Sequence, residues 1–381
     1  MSGSFAALHS RLFQFHTSGF FAVAQSHFVL SSKGSNMSQQ IIIDGSQGEG
    51  GGQVLRSSLA LSLVTGKPFC IENIRAGRRK PGLMRQHLTA VNAATEIGAA
   101  DVTGDAIGST RLTFRPHKIK SGDFHFSIGT AGSTTLVLQT ILPALMLTDK
   151  PSTLKLSGGT HNPFAPPLDF LEKTYLPLLA KIGPQVETKL MRPGFYPAGG
   201  GEFRVDITPT KSLKSLALTD RGEITRRTVR LMFAHLPFHI IERERRKIAE
   251  KTDWDESVFE IREMSGSRGP GNLVMIEAES RDVCELFTGF GEVNVPAEKV
   301  AIDALEQYRS YVAADVPVGV YLADQLMLPL GIARFLGSEA SEFLTHDLSR
   351  HSTTHIDILQ RFLNIDISVT QENNGRCRVK L

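Results

Sequence analysis

The stretch Ile41–Pro68, IIIDGSQGEGGGQVLRSSLALSLVTGKP, reads as a β-branched strand, a glycine turn and a helix beginning near Gln53. It recurs. Adding 83 to Val54, Leu55, Arg56, Leu59, Thr65, Lys67 and Pro68 gives Val137, Leu138, Gln139, Leu142, Thr148, Lys150 and Pro151; only the Arg56/Gln139 pair differs in type. A further 186 carries Leu136, Gln139, Leu142 and Pro143 to Leu322, Gln325, Leu328 and Pro329, with a mismatch where Leu138 meets Asp324. One polar side chain (Arg56, Gln139, Gln325) thus holds the same helical place in each copy. The spacing is too long for a solenoid, whose units run to about 20–50 residues. It predicts a triplicated supersecondary unit, against chance similarity between Leu-rich helices.

A second helix follows in each copy. Pro81 and Gly98 bracket the first, Pro166 and Gly183 the second, and both pairs are 17 positions apart. Proline in the first turn and glycine past the last are start and stop signals. A third such helix runs from about Thr354 to Leu363 and ends at Asn364, with strands expected at 365–370 and 376–381. Between about Arg221 and Val312 the rhythm changes. Strands are expected at 229–233, 258–262 and 273–277, and helices at 240–251 and 299–311. This predicts a small inserted domain at 221–312, flanked by a large repeat domain in two parts, 41–220 and 313–381.

The bulk numbers set limits. With 381 residues the chain is long enough for two domains with their own cores. A net charge of +3 does not mark a general polyanion binder, so any such site must be a local patch. Cys70, Cys284 and Cys377 lack metal-ligand spacing and suit a reducing, cytoplasmic compartment. No apolar run reaches the ~20 residues of a membrane span, so no membrane partner is expected. Residues 1–40 hold no acid and only Arg11 and Lys33 as fixed charges. They are expected to form a disordered extension from an upstream start, with Met37 just before the first strand.

Four groups of residues suggest chemistry. Arg75, Arg78, Arg79, Lys80 and Arg85 bracket a turn and a helix start, where guanidinium forks and helix N–H groups suit phosphate oxygens; a solvated basic loop is the alternative. QGEGGGQ is neither a P-loop nor a dinucleotide fingerprint. Its glycines permit close backbone approach, and Glu49 is either a ligand for a divalent cation or an exposed turn carboxylate. GTAGSTT resembles an anion-binding turn. His351 and His355, four apart in RHSTTHID, could hold a metal but find no third ligand nearby. One of them could instead attack phosphorus as a neutral imidazole, or be structural.

Taken together, DGSQGEGGGQVLR, IRAGRRKPGLMRQHLTAV, GTAGSTTLVLQT, SGGTHNPFAPP, GFYPAGGGE, YLADQ and RHSTTHIDILQRFL resemble the RNA 3′-terminal phosphate cyclases from about residue 41 to the C-terminus. The resemblance implies an α/β fold of the α+β kind. It has three repeated two-helix/β-sheet units, like the C-terminal domain of a bacterial translation initiation factor, plus a small inserted α/β domain. It also implies a ligase that uses ATP to convert RNA 3′-phosphate ends to 2′,3′-cyclic phosphates in RNA processing. The nucleophile falls on His351, which would carry AMP after pyrophosphate release. Glu49 would bind Mg or Mn, and Arg56, Arg75, Arg78, Arg85, Gln86 and His87 would face phosphates or RNA. Gln139, Pro166, Tyr321, Leu322, Ala323, Asp324 and Gln325 match nucleotide-binding positions, with Tyr321 and Pro166 offering faces to adenine.

Two positions depart from the family pattern, which commonly has Asn at His355 and often an acid at Val320. The chief alternative is a non-catalytic cyclase-like protein of ribosome assembly, which lacks the histidine. A transferase of similar architecture acting on a small phosphorylated metabolite would suit the arginines but not the His351 motif.

Overall fold

The β-branched run forms β1 (Ile41–Asp44), which crosses over through α1 (Gly52–Thr65) to pair in parallel with β2 (Phe69–Glu72). Gly66 ends α1 in the left-handed region at φ 71°, its N–H bonded to Ser62 O, a conformation that costs glycine nothing. Then come α2 (Arg85–Gly98), β3 (Asp101–Thr103) and β4 (Leu112–Arg115), in sheet order β1-β2-β4-β3. This computed structural model describes residues 40–372 and 375–381; the extension expected over 1–40 lies outside them except for Gln40.

The succession repeats with β5 (Asp123–Ser127), α3 (Thr134–Leu145) and β6 (Ser152–Gly158). A composite helix follows, made of α4 (Leu168–Phe170), a π-helical turn Leu171–Tyr175 and α5 (Leu176–Ile182). Strands β7 (Gln185–Arg192) and β8 (Gly201–Thr208) complete the order β5-β6-β8-β7.

After β9 (Ala217–Leu218) the chain leaves this pattern for β10 (Arg226–Ala234), α6 (Phe238–Ala249), β11 (Phe259–Glu263), β12 (Gly271–Glu279), β13 (Cys284–Phe290) and α7 (Ala297–Ala314). These strands make their own sheet, β11-β10-β12-β13. The chain then returns with α8 (Val320–Phe335), β14 (Glu342–His346), α9 (Arg350–Leu363), β15 (Ser368–Glu372) and β16 (Arg376–Lys380). Strand β9 pairs in parallel with β14, giving the order β9-β14-β16-β15. All four sheets pair as one parallel pair followed by two antiparallel ones, but only three share a strand order, with their strands running first, second, fourth, third in chain order. The mixed α/β class is as the sequence predicts.

Two apolar clusters hold this together. One joins the helices and sheets of the repeated units, with Leu55, Leu59, Phe69, Leu138, Leu322, Leu359 and Phe362 all buried. The other belongs to β10–β13 with α6 and α7 and includes Val229, Leu231, Ile276, Ala304 and Tyr311. Helix α9 is amphipathic, burying Ile356, Leu359, Phe362 and Leu363 at helical spacing. The Phe362 ring lies 5.9 Å from Phe69, which itself lies 5.8 Å from Phe114. Lys67 Nζ donates to Phe362 O at 2.6 Å, taking up a carbonyl that the helix end leaves open. The last helix of the chain is thereby pinned to the first unit.

Some boundaries differ from the sequence expectation. Helix α2 starts at Arg85, not Pro81, because Gly82 N and Leu83 N bond to Ile74 O and Ser109 O and hold that stretch out of the helix. Its left-handed cap is Ala99 at φ 44° rather than Gly98. Helix α9 starts at Arg350, a turn before the expected Thr354, because Ser349 caps it by accepting from Ser352 N. Strand β13 was not expected.

Candidate active site

The glycine turn after β1 is built by a side chain and held against α9. Asp44 Oδ1 accepts from Ser46 N at 3.0 Å and Ser46 Oγ at 2.7 Å, fixing the turn's entry. Gly48, at φ 63°, lies so close to α9 that an added Cβ would fall 2.0 Å from Thr354 Oγ1, and Glu49 N donates to that hydroxyl at 3.0 Å. The turn therefore hands Glu49 to the start of α9. The Glu49 side chain is only 7% exposed; it faces the Arg78 guanidinium and, at 3.8 Å, His351 Nε2. Neither carboxylate oxygen accepts a hydrogen bond of good geometry.

His351, the second residue of α9, keeps 48% of its side chain exposed. Its Nδ1 lies 2.8 Å from Gln53 Oε1. An amide oxygen can only accept, so Nδ1 carries the proton and Nε2 keeps its lone pair. Burial holds the ring below its ordinary pKa, with Arg78 and Arg56 adding to the effect and Asp324 opposing it. The exposed face of the ring is thus a neutral nitrogen nucleophile.

Around it, Asp324 on α8 accepts from Ser352 Oγ, and burial pushes its carboxyl up to about 6. His355 is buried one turn below His351, with both ring nitrogens unpartnered, and burial pushes it down to about 4. Burial lowers the Arg56 guanidinium to about 10, still a cation at neutral pH. His87 touches the same place, since a Cβ on Gly52 would meet His87 Nε2 at 2.5 Å and Arg56 Nη1 at 2.9 Å. Burial and the fields of Arg56 and Arg75 push His87 down to about 3, so it is neutral there. Gln139 Nε2 donates to Gln325 Oε1, so two of the three matching polar positions meet directly.

The other predicted residues lie on α2, on the basic loop before it, on α8 and in the loop before α4. Gln86 Oε1 accepts from Ser133 N at 2.8 Å, tying α2 to the GTAGSTT turn. Arg75, at φ 56°, uses Nη1 to bind Lys80 O and Gly82 O, each at 2.8 Å, and so braces the basic loop. Arg78 and Arg85 are exposed along its edge. Tyr321 is 59% exposed, while Leu322 and Ala323 turn their side chains into the core. Pro166 is partly buried, its carbonyl accepting from Thr135 Oγ1. Sequence reasoning missed Gln53 and Ser352, the groups that orient His351 and Asp324. Gln53 is 298 residues from its partner, so no local pattern signals it.

A neutral imidazole nitrogen beside a carboxylate and within the fields of Arg78 and Arg56 suits attack on a phosphorus whose oxygens the cations neutralise. Among the described residues no cluster of three or more His, Cys, Asp or Glu could enclose a metal alone. Glu49 still fits a hard cation, because its buried oxygens take no hydrogen bond and phosphate oxygens can complete the coordination.

A family model described as RNA 3′-terminal phosphate cyclase matches residues 47–369. An RNA 3′-terminal phosphate cyclase from Koribacter versatilis (strain Ellin345) is 48% identical over 342 residues, covering 90% of this chain and 94% of its own length.

Proposed function

The chain belongs to the RNA 3′-terminal phosphate cyclase family, and from that premise we propose that it converts RNA 3′-phosphate ends to 2′,3′-cyclic phosphates at the expense of ATP. His351 Nε2 attacks the α-phosphorus of ATP; an N–P bond forms and pyrophosphate leaves. The ring gains positive charge as that bond forms, which the Glu49 and Asp324 carboxylates stabilise, while Gln53 keeps hold of the Nδ1 proton. An oxygen of the RNA 3′-phosphate then displaces the imidazole, so AMP passes to the RNA. The terminal 2′-hydroxyl attacks the 3′-phosphorus, loses its proton to solvent, and expels AMP.

Arg56, Arg75, Arg78, Arg85, Gln86 and His87 are assigned to phosphate and RNA contacts. Tyr321–Gln325, Gln139 and Pro166 are assigned to the nucleotide. Positioning and charge neutralisation supply most of the rate in such transfers. Mg or Mn, held by Glu49 and the substrate's phosphates, would supply further charge neutralisation. The single observation that carries this reading is the Gln53 bond, which leaves Nε2 free among cations. It also weighs against a purely structural, non-catalytic role. Three free cysteines favour a cytoplasmic setting. Among the described residues no helix is long and apolar enough to cross a membrane.

The test is an RNA oligonucleotide ending in a 3′-phosphate, incubated with the protein, ATP and Mg or Mn. The terminus should become phosphatase-resistant only with ATP, and a terminal 2′-deoxynucleotide should block the conversion. Absence of any ATP-dependent change in wild type would overturn the reading.

A further inference from the structure

Two exposed aromatic rings stand on loops bolted to the site, and nothing in the reaction above uses them. Phe164, in HNPFAPP, is 97% exposed and has φ 63°, a left-handed conformation that a bulky side chain rarely adopts. The loop is nonetheless fixed. Leu168 N bonds to Thr160 O at 3.1 Å, His161 Nε2 meets Asp169 Oδ2 at 2.9 Å, and Asn162 Nδ2 donates to Ala131 O. Tyr196, in GFYPAGGGE, is 60% exposed. The two loops form one body, since His161 and Phe195 are bridge partners and their rings lie 5.4 Å apart.

This body is continuous with the reacting centre. Asn162 and Gly199 both abut Ala131 of the GTAGSTT turn, Ser133 of that turn bonds Gln86, and the adjoining His87 abuts Gly52, next to Gln53. Positive charge accompanies the rings. Arg268 packs against Gly200, where a Cβ would meet its Cδ at 2.2 Å, and Arg192 donates to Gly200 O. Neither arginine pairs with a carboxylate among the described residues.

We propose that Phe164 and Tyr196, with Arg268 and Arg192, form a platform on which the nucleotides upstream of the RNA 3′ end stack while the arginines hold their phosphates. Every base has a π-face, so stacking of this kind tolerates any sequence, as an enzyme that reads only the chemical form of an end requires. The proposal rests on the cyclase reading and names how that site takes its RNA.

The test compares steady-state cyclisation of two 3′-phosphorylated oligonucleotides, one with normal bases and one abasic upstream of the last nucleotide. Phe164→Ala and Tyr196→Ala should each raise KM for the normal RNA roughly tenfold with little change in kcat. Phe164→Trp should retain the wild-type KM, and the abasic RNA should erase the difference between wild type and the Ala variants. Phe238→Ala, removing a half-exposed ring on α6, serves as the surface control and should change nothing. An unchanged KM in both Ala variants would overturn the platform, as would a KM rise equal on abasic RNA. Loss of label transfer from ATP in these variants would also overturn it, by putting the rings on the nucleotide side. Wild-type protein that takes no label from ATP would instead refute the cyclase reading itself.

Discussion

In the proposed reaction the hydrogen bond from His351 Nδ1 to Gln53 Oε1 would select Nε2 as the attacking nitrogen, and the charges around the ring would set the pH at which it can attack. Because burial, Arg78 and Arg56 all hold His351 below its ordinary 6.5, the neutral nucleophile persists through neutral pH and is lost only in more acid solution. Label transfer from ATP should therefore be flat near pH 7 and fall on an acid limb below 6.5. Asp324 raises the ring's pKa, so Asp324→Asn should move that limb to lower pH whatever it does to the plateau. A limb that stayed in place or moved to higher pH would contradict the assignment of these charges. At this scale the sequence was legible only in part. Glu49 and His351 stood out through their motifs, but Gln53 and Ser352 did not. The work of Arg75 in bracing its own loop is a backbone matter, visible only once Lys80 O and Gly82 O are seen to converge on it.

Helix α8 carries Tyr321, Asp324 and Gln325, and its start is fastened to the sheet of β10–β13. Glu285 on β13 is buried and accepts from Gly319 N, the residue that caps α8. Burial pushes its carboxyl up to about 8. A folded-state pKa above the unfolded value of 4.5 means that the native state binds the extra proton, so stability falls as pH rises from 4.5 through 8. Glu285→Gln keeps the acceptor without the charge. It should stabilise the protein at pH 9 by on the order of 2 kcal/mol and lose that advantage near pH 5, as followed by denaturant unfolding at both pH values. An advantage independent of pH would contradict the account. Elements were legible where periodicity or a stop signal was strong, as with the start of α1 near Gln53 and the end of α9 at Asn364. They were misjudged where tertiary hydrogen bonds overrode a local cue, as when Pro81 lay outside α2. Strand β13 lacks a signal because its run CELFTGF interrupts its apolar residues with Glu285, Thr288 and Gly289 out of period-two alternation.

Across the molecule, the sequence offsets of 83 and 186 correspond to helices α1, α3 and α8, each coming after the first strand of a sheet with the same strand order. The helices carried the signal because their buried faces constrain Leu positions; the strands, only three to eight residues long in the first two units, constrain too little to repeat visibly. Strand β9 itself is invisible in sequence, since it has two residues. The consequence for function is that His351 reaches its partners only through the whole chain. Phe362 and Lys67 seat α9 on the first unit, and Gln53, Glu49 and Arg78 come from there, while Asp324 comes from α8. The most direct measurement is incubation with α-labelled ATP and Mg or Mn, followed by peptide mapping. The account predicts acid-labile AMP on the peptide containing His351 and no label on His351→Ala that remains folded. Equal labelling of that variant, or AMP on a different residue, would contradict it.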